Sequence, residues 1–110
     1  MIAAEIFRDN KGQIIEFTIN GHAEFNDAGK DIVCAGVSSI SGAAIIGLER
    51  LLSLKPEISK NKGKLKCTLP DNISDEKMKS AQVILETMVL GIKDISESYK
   101  SFVKVFDKEV

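Results

Sequence analysis

Apolar and polar residues alternate in two short segments near the start of the chain. The first segment spans 2–7, and the second begins its apolar face at Ile15. An alternation with a period of two is typical of β-strands that bury one face. The segment 9–12, Asp-Asn-Lys-Gly, favours a tight turn because Asn and Gly tolerate left-handed backbone conformations. The pattern therefore predicts an antiparallel hairpin whose second strand ends at Gly21 and His22.

A longer segment after this hairpin has its apolar residues at helical spacing. A polar stretch, 24–30, leads to Asp31, which is a favourable N-cap residue. The apolar residues that follow recur every three or four positions and form one stripe: Val33, Val37, Ile40, Ala44, Leu48 and Leu51. We expect a helix that Pro56 terminates. Because the segment is rich in Gly, Ala and Ser, we expect it to pack closely against a sheet or a partner.

The second half of the chain repeats this order of elements. Residues 57–60 and 64–69 predict a second hairpin around Gly63, and residues 102–106 predict a final strand. With a second helix after this hairpin, the order ββαββαβ predicts an α+β fold in which two helices pack on a mainly antiparallel sheet. A length of 110 residues suits a single domain, which we expect over 1–110.

The second helix is the longest periodic segment of the chain. Ser74 is a favourable N-cap residue for it. Its buried stripe alternates steps of three and four residues: Met78, Ala81, Leu85, Met88, Ile92, Ile95 and Tyr99. Ile84 and Val89 flank this stripe, so the helix has more apolar surface than one contact needs. We interpret this excess as an indication of a dimer.

The overall charge argues against a surface that binds nucleic acid. The net charge is −1 and the isoelectric point is near 5.8, whereas a surface that neutralises phosphates is basic. The basic run 60–66 is expected to be a solvated hairpin tip, with a ribosome or RNA contact as the alternative. We therefore expect no direct nucleic-acid partner.

Two segments bear on secretion and membranes. Glu5 and Arg8 interrupt any apolar region of the kind that a signal peptide carries. Residues 32–48 carry no charge, but they are few for a membrane span, include several Ser and Gly, and run straight into Glu49 and Arg50. We expect a cytoplasmic protein with no membrane association, whose cysteines are reduced.

The candidate chemistry is narrowed first by what the sequence lacks. One histidine and two distant cysteines do not make a structural zinc site. The sequence has no C-x-x-C redox pair, no phosphate-binding Gly-rich loop and no G-x-S-x-G motif. We expect no metal and no cofactor. Cys67 lies in the middle of a predicted strand, and we expect it to be a packing residue.

One thiol and one imidazole remain, on either side of the segment 24–30. If Asp31 caps the helix, Cys34 occupies its third position, where free N–H groups and the helix dipole stabilise a thiolate. His22 is placed to accept the thiol proton and to return it to a leaving amine. The N–H groups of the first turn are placed to hold the oxyanion of a tetrahedral intermediate. The alternative is that Cys34 is a small buried apolar residue and His22 a hydrogen-bonded strand terminus.

Two residues near this pair have two candidate roles each. Asp31 either caps the helix or turns toward His22 and orients the imidazole. Ser38 lies one helical turn beyond Cys34 on the same face. Its hydroxyl either bonds the sulfur or a substrate, or bonds back to a helix carbonyl. The sequence leaves both questions open.

The segments around these residues carry a family motif. The chain resembles the Prp family of ribosomal-processing cysteine proteases at two segments: Gly21-His22-Ala23 and Gly29-x-Asp31-Ile32-Val33-Cys34-Ala35-x-Val37-Ser38. The resemblance extends over nearly the whole chain, including 81–88 of the second helix. It implies that His22 and Cys34 are the catalytic pair. It also implies that three further residues belong to the same active-site region: Gly21, Asp31 and Ser38.

The resemblance implies a substrate and a partner as well. Family members remove a short N-terminal extension from the precursor of ribosomal large-subunit protein twenty-seven, cutting after a phenylalanine during ribosome assembly, and they are homodimers. The loop thought to admit the peptide corresponds to these residues: Glu24, Phe25, Asn26, Asp27, Ala28, Gly29 and Lys30. Relatives often carry an aromatic residue where this chain has Ala28, so this chain lacks the side chain for a loop contact that such an aromatic residue makes.

Two other classes of function remain open from the sequence. One is a non-catalytic, ribosome-associated binding module that uses the small-residue helix and the basic run 60–66. The other is a thiol hydrolase acting on a small acyl substrate, which a short chain with little material for a deep pocket disfavours. We take the cysteine endopeptidase as the principal hypothesis.

Overall fold

The computed structural model describes residues 1–23, 26–27 and 31–110, and its elements follow the predicted order. They are β1 (Ile2–Arg8), β2 (Ile14–Asn20), α1 (Ile32–Arg50), β3 (Glu57–Asn61), β4 (Lys64–Thr68), α2 (Asp75–Ser98) and β5 (Val103–Glu109). The order ββαββαβ predicted from the sequence is therefore confirmed.

The five strands form one mixed sheet in the order β3-β4-β2-β1-β5. Three neighbouring pairs are antiparallel, and the pair of β1 and β5 is parallel. Alternate strand residues point toward the helices, and the core on this side includes six residues that are at most 2% exposed: Ile2, Ala4, Ile6, Phe17, Cys67 and Val103. The opposite face carries polar side chains, among them Glu5, which accepts hydrogen bonds from Thr18 and Lys108. The predicted α+β fold, with helices on a mainly antiparallel sheet, is confirmed.

A bulge in β2 changes which isoleucine enters the core. Phe7 lies opposite Glu16, whereas the next residue, Arg8, lies opposite Ile14. Ile15 is therefore the extra residue of the bulge. Ile14 fills the core with 0% exposure. The expectation that Ile15 begins the buried face is wrong, because strict alternation holds only where the register is unbroken.

Small residues let the two helices approach closely. A Cβ at Gly36 of α1 would lie 3.3 Å from Cδ1 of Ile95, and a Cβ at Gly91 of α2 would lie 3.2 Å from Cδ1 of Ile40. Carbon atoms in optimal contact are about 3.5–4.0 Å apart. Each glycine therefore makes room for an isoleucine of the other helix, and the close packing predicted for α1 is confirmed.

The apolar residues that flank the stripe of α2 are used inside the chain. Val89 is 1% exposed. Ile84 lies against Gly47 of α1, where a Cβ would be 3.4 Å from its Cδ1. The interpretation of Ile84 and Val89 as an indication of a dimer is therefore wrong. A helix that packs on both a sheet and a second helix needs a wider apolar stripe than a single contact does.

α1 ends before Pro56 is reached. Ser53 has a positive φ of 53°, which reverses the chain. The N–H of Leu54 then donates to the carbonyl of Leu48 at 3.0 Å. Leu54 is buried as a result, whereas Leu51 is 79% exposed. The predicted stripe was therefore one residue too long, and the proline does not terminate the helix.

α1 is long and apolar enough to cross a membrane by length and composition alone. A core helix of a soluble protein meets the same criterion. One face of α1 is buried in the fold through Val33, Val37, Ser41, Ala44 and Leu48. Its place in the structure is therefore that of a core helix.

Candidate active site

A glycine with no room for a side chain places His22 at the end of β2. Gly21 has a φ of +92°, and a Cβ there would overlap the carbonyl oxygen of Met1. Residues with side chains rarely adopt this conformation, so the turn requires glycine on two counts. The N–H of Gly21 donates to the carbonyl of Gly63 at 2.8 Å. His22 is thereby exposed where β2 meets the tip of the β3–β4 hairpin.

The imidazole of His22 lies against that hairpin tip. A Cβ at Gly63 would be 2.9 Å from Nε2 of His22 and 3.6 Å from each of the two neighbouring ring carbons. The Nε2 edge of the ring therefore faces Gly63, and Nδ1 lies on the far side of the ring. Because Gly63 also has a φ of +74°, glycine serves both the turn and the neighbouring imidazole.

Asp31 caps α1 and places Cys34 at its third position. The carboxylate Oδ1 of Asp31 accepts hydrogen bonds from the N–H groups of Val33 and Cys34, each at 3.0 Å. Asp31 is 7% exposed, so these bonds are shielded from water. The predicted cap is therefore confirmed.

A backbone donor points at the Cys34 sulfur. The N–H of Ala23 lies 3.2 Å from Sγ. A donor at this distance stabilises a thiolate more than a thiol. Because Ala23 directly follows His22 and is 2% exposed, the bond holds the residues after β2 against the first turn of α1. The structure therefore brings the predicted thiol and imidazole to one site.

Three amides at the start of α1 are already hydrogen-bonded and are not free for an oxyanion. The N–H groups of Val33 and Cys34 already donate to Asp31 Oδ1. The N–H of Ala35 donates to the Asp31 carbonyl at 3.1 Å. The expectation that first-turn amides hold the oxyanion is wrong for these residues, because the cap and the helix use their hydrogens. The N–H of Ala23 is a donor that lies next to the reacting sulfur.

Cys34 and His22 line the same cavity, which has a volume of about 430 Å³. Its apolar lining comes from β1, β2, α1 and the β3–β4 hairpin: Ile2, Ile19, Val37, Ile45, Ile46, Ile58 and Leu65. Its polar lining includes Lys60, Asn61 and Lys64. Ligand sites are typically clefts of about 300–1,000 Å³ with mostly apolar walls. The arrangement can therefore bury an apolar side chain of a ligand beside the thiol.

The two serines of α1 near the cavity differ in their bonding. Ser41 is 1% exposed, and its Oγ donates to the carbonyl of Val37 at 2.9 Å. Ser38 is exposed and lines the cavity together with Cys34. Within the described part of the chain, its hydroxyl makes no bond to a helix carbonyl. The back-bond considered for Ser38 is made by Ser41 instead.

Cys67 is a packing residue, as predicted. It is 1% exposed in the core. Burial, with smaller contributions from the charges of Glu49 and Glu16, raises the pKa of its thiol to about 12. Such a thiol is almost entirely protonated at neutral pH and is a poor nucleophile. Cys34 is the free thiol that lines the cavity.

The predicted substrate loop falls only in part within the described residues. Asn26 and Asp27 are exposed, and the N–H of Asp27 donates to Oδ1 of Asn26 at 2.8 Å. The other residues of that prediction lie outside the described residues: Glu24, Phe25, Ala28, Gly29 and Lys30.

The site also contains residues of the β3–β4 hairpin that were not predicted from the sequence to belong to it. Gly63 lies against the imidazole, and Ile58 and Lys60 of β3 line the cavity. The alternation along β3 places Ile58 and Lys60 on one face of the strand, but it does not say what that face meets. The strand order decides that question, and no local signal in the sequence gives it.

Known proteins resemble this chain in sequence and in structure. The family model of the cysteine protease Prp matches residues 1–104. The ribosomal processing cysteine protease Prp of Bacillus subtilis (strain 168) is 31% identical over 107 residues, which cover 96% of each chain. The essential ribosomal processing protease Prp from S. aureus, in complex with a covalently linked product peptide, has a TM-score of 0.88 at 30% identity and covers 98% of this chain and 100% of its own. Its complex with a substrate peptide has a TM-score of 0.82 at 27% identity with the same coverage.

Proposed function

This chain belongs to the Prp family of cysteine proteases, and we propose that it removes the short N-terminal extension of ribosomal large-subunit protein twenty-seven, cutting after a phenylalanine. The chain is a cysteine protease, and its relatives are ribosomal processing enzymes. One observation carries the proposal: the thiol of Cys34, on a capped helix turn, shares an apolar cavity with His22. We place the reaction in the cytoplasm, during ribosome assembly.

Cys34 is the nucleophile in the proposed mechanism, and His22 moves the proton. His22 takes the thiol proton, and the thiolate attacks the carbonyl carbon of the scissile bond. The C–N bond breaks as His22 returns the proton to the leaving amine, which leaves a thioester on Cys34. His22 then deprotonates a water molecule, whose oxygen attacks the thioester carbonyl. The C–S bond breaks, the new acid is released and ionises, and His22 returns the proton to the Cys34 sulfur. The Ala23 N–H, 3.2 Å from Sγ, supports the negative charge of the thiolate stage.

The apolar part of the cavity supports the proposed phenylalanine before the cut. Ile45 of α1 and Ile58 and Leu65 of the hairpin contribute branched side chains to its walls. Burying an aromatic ring against such walls removes a large apolar area from water, which is the main source of binding free energy for that side chain. Lys60 and Lys64 also line the cavity, and we assign the part of the cavity beside them to the peptide backbone.

Cleavage of a peptide that spans the extension junction tests the proposal. We expect the parent protein to cut after the phenylalanine, with the site located by mass spectrometry of the products. Cys34→Ala is expected to reduce the rate by at least about a hundredfold, because no thioester forms. Cys67→Ala, at a thiol that does not line the cavity, is the control and is expected to cleave at the parent rate when folded.

Two outcomes would contradict different parts of the proposal. If Cys34→Ala cleaves as fast as the parent protein, Cys34 is not the nucleophile and the mechanism fails. If the parent protein leaves the junction peptide intact but cuts other peptides, the substrate is wrong and the protease assignment stands.

We also propose that the protein acts as a homodimer, in line with the family resemblance. Val83 and Leu90 of α2 are 67% and 66% exposed, and they lie two turns apart on one helix face. Exposed apolar residues at this spacing suit a contact with another chain. Light scattering is expected to give twice the chain mass, and Leu90→Glu is expected to lower it. A monomeric parent protein at micromolar concentration would reject the dimer.

A further inference from the structure

Among the strands that the structure describes, β3 lies at one edge of the sheet, and none of the others lies along its outer side. All five of its residues are exposed. In an antiparallel pair, alternate residues exchange hydrogen bonds with the partner strand, and the residues between them direct N–H and C=O groups outward. The outer side of β3 therefore presents a row of backbone donors and acceptors.

Two hydrogen bonds show which residues of β3 point outward. Gly63 and Leu69 flank β4. The carbonyl of Gly63 accepts from the N–H of Gly21 at 2.8 Å, and the N–H of Leu69 donates to the carbonyl of Ile15 at 2.9 Å. The odd-numbered residues of β4 therefore direct their N–H and C=O groups toward β2. The even-numbered residues of β4 face β3 and pair with Asn61, Ser59 and Glu57. Ile58 and Lys60 lie between these, so their N–H and C=O groups point to the open edge. Within the described part of the chain, these groups meet no other backbone partner.

The open edge is continuous with the catalytic cavity. Ile58 and Lys60 line that cavity together with Cys34 and His22. The hairpin tip that follows β3 contacts the imidazole through Gly63. A strand rises about 3.4 Å per residue, so an extended peptide along five residues covers about 17 Å. A peptide on this edge therefore lies beside the cavity that Cys34 and His22 line.

We propose that the substrate peptide binds as an added strand on the open edge of β3, with its backbone hydrogen-bonded to Ile58 and Lys60. The inference rests on the proposed function and specifies how this protease holds its substrate. Backbone pairing supplies affinity that does not depend on the peptide's sequence, while alternate side chains enter the cavity and supply selectivity. The edge ends at the hairpin tip that lies against the imidazole of His22, so a bound peptide leaves the edge next to the catalytic cavity.

An alternative explanation of the exposed edge is that its charge protects the protein against aggregation. A charged residue on an edge strand discourages pairing between sheets of different molecules, and Lys60 has this character. Protection explains the charge of Lys60 but does not explain why the open edge borders the cavity of the nucleophile. The two interpretations make different predictions about the substrate's amide groups.

An N-methyl scan of the substrate tests the added strand directly. The best-cleaved peptide, either the junction peptide or one found in a peptide library, is methylated at one backbone nitrogen at a time. Methylation removes the N–H donor and blocks approach to β3 only where that N–H faces the edge. We expect losses of about tenfold or more in kcat/KM at every second amide, with near-parent values at the amides between.

A pair of protein variants tests the same edge from the other side. Lys60→Pro removes the outward N–H, and an edge strand accepts proline at such a position. Lys60→Ala removes the same side chain and keeps the N–H, so it is the matched control. We expect Lys60→Pro to lose about tenfold in kcat/KM relative to Lys60→Ala, with Tm values that show both variants to be folded. Should Lys60→Pro not fold, Ile58→Pro against Ile58→Ala gives the same comparison.

Three outcomes separate this inference from its alternatives. Equal tolerance of methylation at all positions overturns the added strand. A flat scan together with a change of oligomeric mass in Lys60→Pro assigns the edge to a second copy of the chain and also overturns it. Failure to cleave the junction peptide rejects the proposed substrate, while the scan on the best-cleaved library peptide still decides the binding mode.

Discussion

At the scale of single residues, two glycines determine where the imidazole lies. Gly21 turns the chain at the end of β2, where Met1 leaves no room for a Cβ. Gly63 supports the Nε2 edge of His22, and a Cβ there would come within 2.9 Å of that nitrogen. Both glycines have a positive φ. Because a glycine in a polar segment indicates a turn, both turns are predictable from the sequence. Only the structure shows that the second glycine serves the histidine.

Gly63→Ala is expected to impair catalysis more than stability. The new methyl group displaces the imidazole, which is the movable end of a side chain, and a misplaced general base loses about tenfold to a hundredfold in kcat. Gly12→Ala is the matched control, because Gly12 has a φ of +80° and no atom within 4 Å of a Cβ. Urea unfolding is expected to show a similar loss of about 1–2 kcal/mol in both variants. Equal kcat in the two variants would contradict the positioning role.

The two thiols are expected to react very differently with iodoacetamide. Cys34 lines the open cavity, whereas burial holds the pKa of the Cys67 thiol at about 12. We expect one label per chain at neutral pH, located on Cys34 by peptide mass spectrometry, and a second label only in guanidinium chloride. Comparably slow labelling of both thiols would favour the non-catalytic binding module considered from the sequence.

At the scale of elements, α1 combines a structural and a chemical task. Its cap holds the first turn through two hydrogen bonds from backbone N–H groups to the carboxylate of Asp31, and the same turn carries Cys34. Its small residues on the other side let α2 approach. The cap therefore fixes the turn that carries the nucleophile, and it occupies two amides that an oxyanion would otherwise use.

Asp31 variants are expected to separate the cap from any role in orienting His22. The side-chain oxygen of Asn accepts the same two hydrogen bonds from backbone N–H groups. Asp31→Asn should therefore keep stability within a few tenths of a kcal/mol and keep most of the activity. Asp31→Ala loses the cap and should lose about 0.5–2 kcal/mol in urea unfolding, with lower activity. If Asp31→Asn is stable but inactive, the charge of the carboxylate acts on the histidine and the capping role is not sufficient.

At the scale of the whole molecule, Arg8 joins the two sequence ends of the fold. Its guanidinium makes a bidentate pair with Glu86 of α2, at 2.7 and 2.9 Å, and bonds Asp107 of β5 at 3.0 Å. Lys93 also reaches Asp107, at 3.3 Å. The network ties β1, β5 and α2 together on the side of the sheet that the helices cover.

This network predicts a contribution to stability that acid removes. The hydrogen bond from Arg8 is the largest cause that lowers the pKa of Glu86 in the fold, against desolvation, which raises it. A lowered folded-state pKa stabilises the fold above the unfolded value of about 4.3, and the contribution is lost as the pH falls through the folded-state pKa. Glu86→Gln is expected to cost about 0.5–1 kcal/mol at pH 7, because the pair is partly exposed.

Urea unfolding at several pH values checks this contribution. The difference between the parent protein and Glu86→Gln should be largest near neutral pH and should vanish at low pH. Glu57→Gln, at an exposed glutamate with no ion pair among the described residues, is the control and should show no such trend. A difference that stays constant with pH would mean that the effect of Glu86→Gln is one of packing and not of charge.

Part of the fold and of the site followed from local patterns. The period of two, the helical stripes and the caps at Asp31 and Ser74 depend on neighbours within a few residues, and they were predicted correctly. The errors arose where distant residues intervene. The bulge at Ile15 depends on pairing with β1, and the exposure of Leu51 depends on a chain reversal that buries Leu54.

The sequence by itself determined the element order, the cap that places Cys34 at the third position of its helix, and the family motif that pairs it with His22. Only the tertiary structure decided that the hairpin tip at Gly63 supports the imidazole and that the open edge of β3 borders the cavity. The reason is physical. Periodicity and capping arise from contacts within one or two turns, whereas strand order is decided by which distant surfaces bury the most apolar area together.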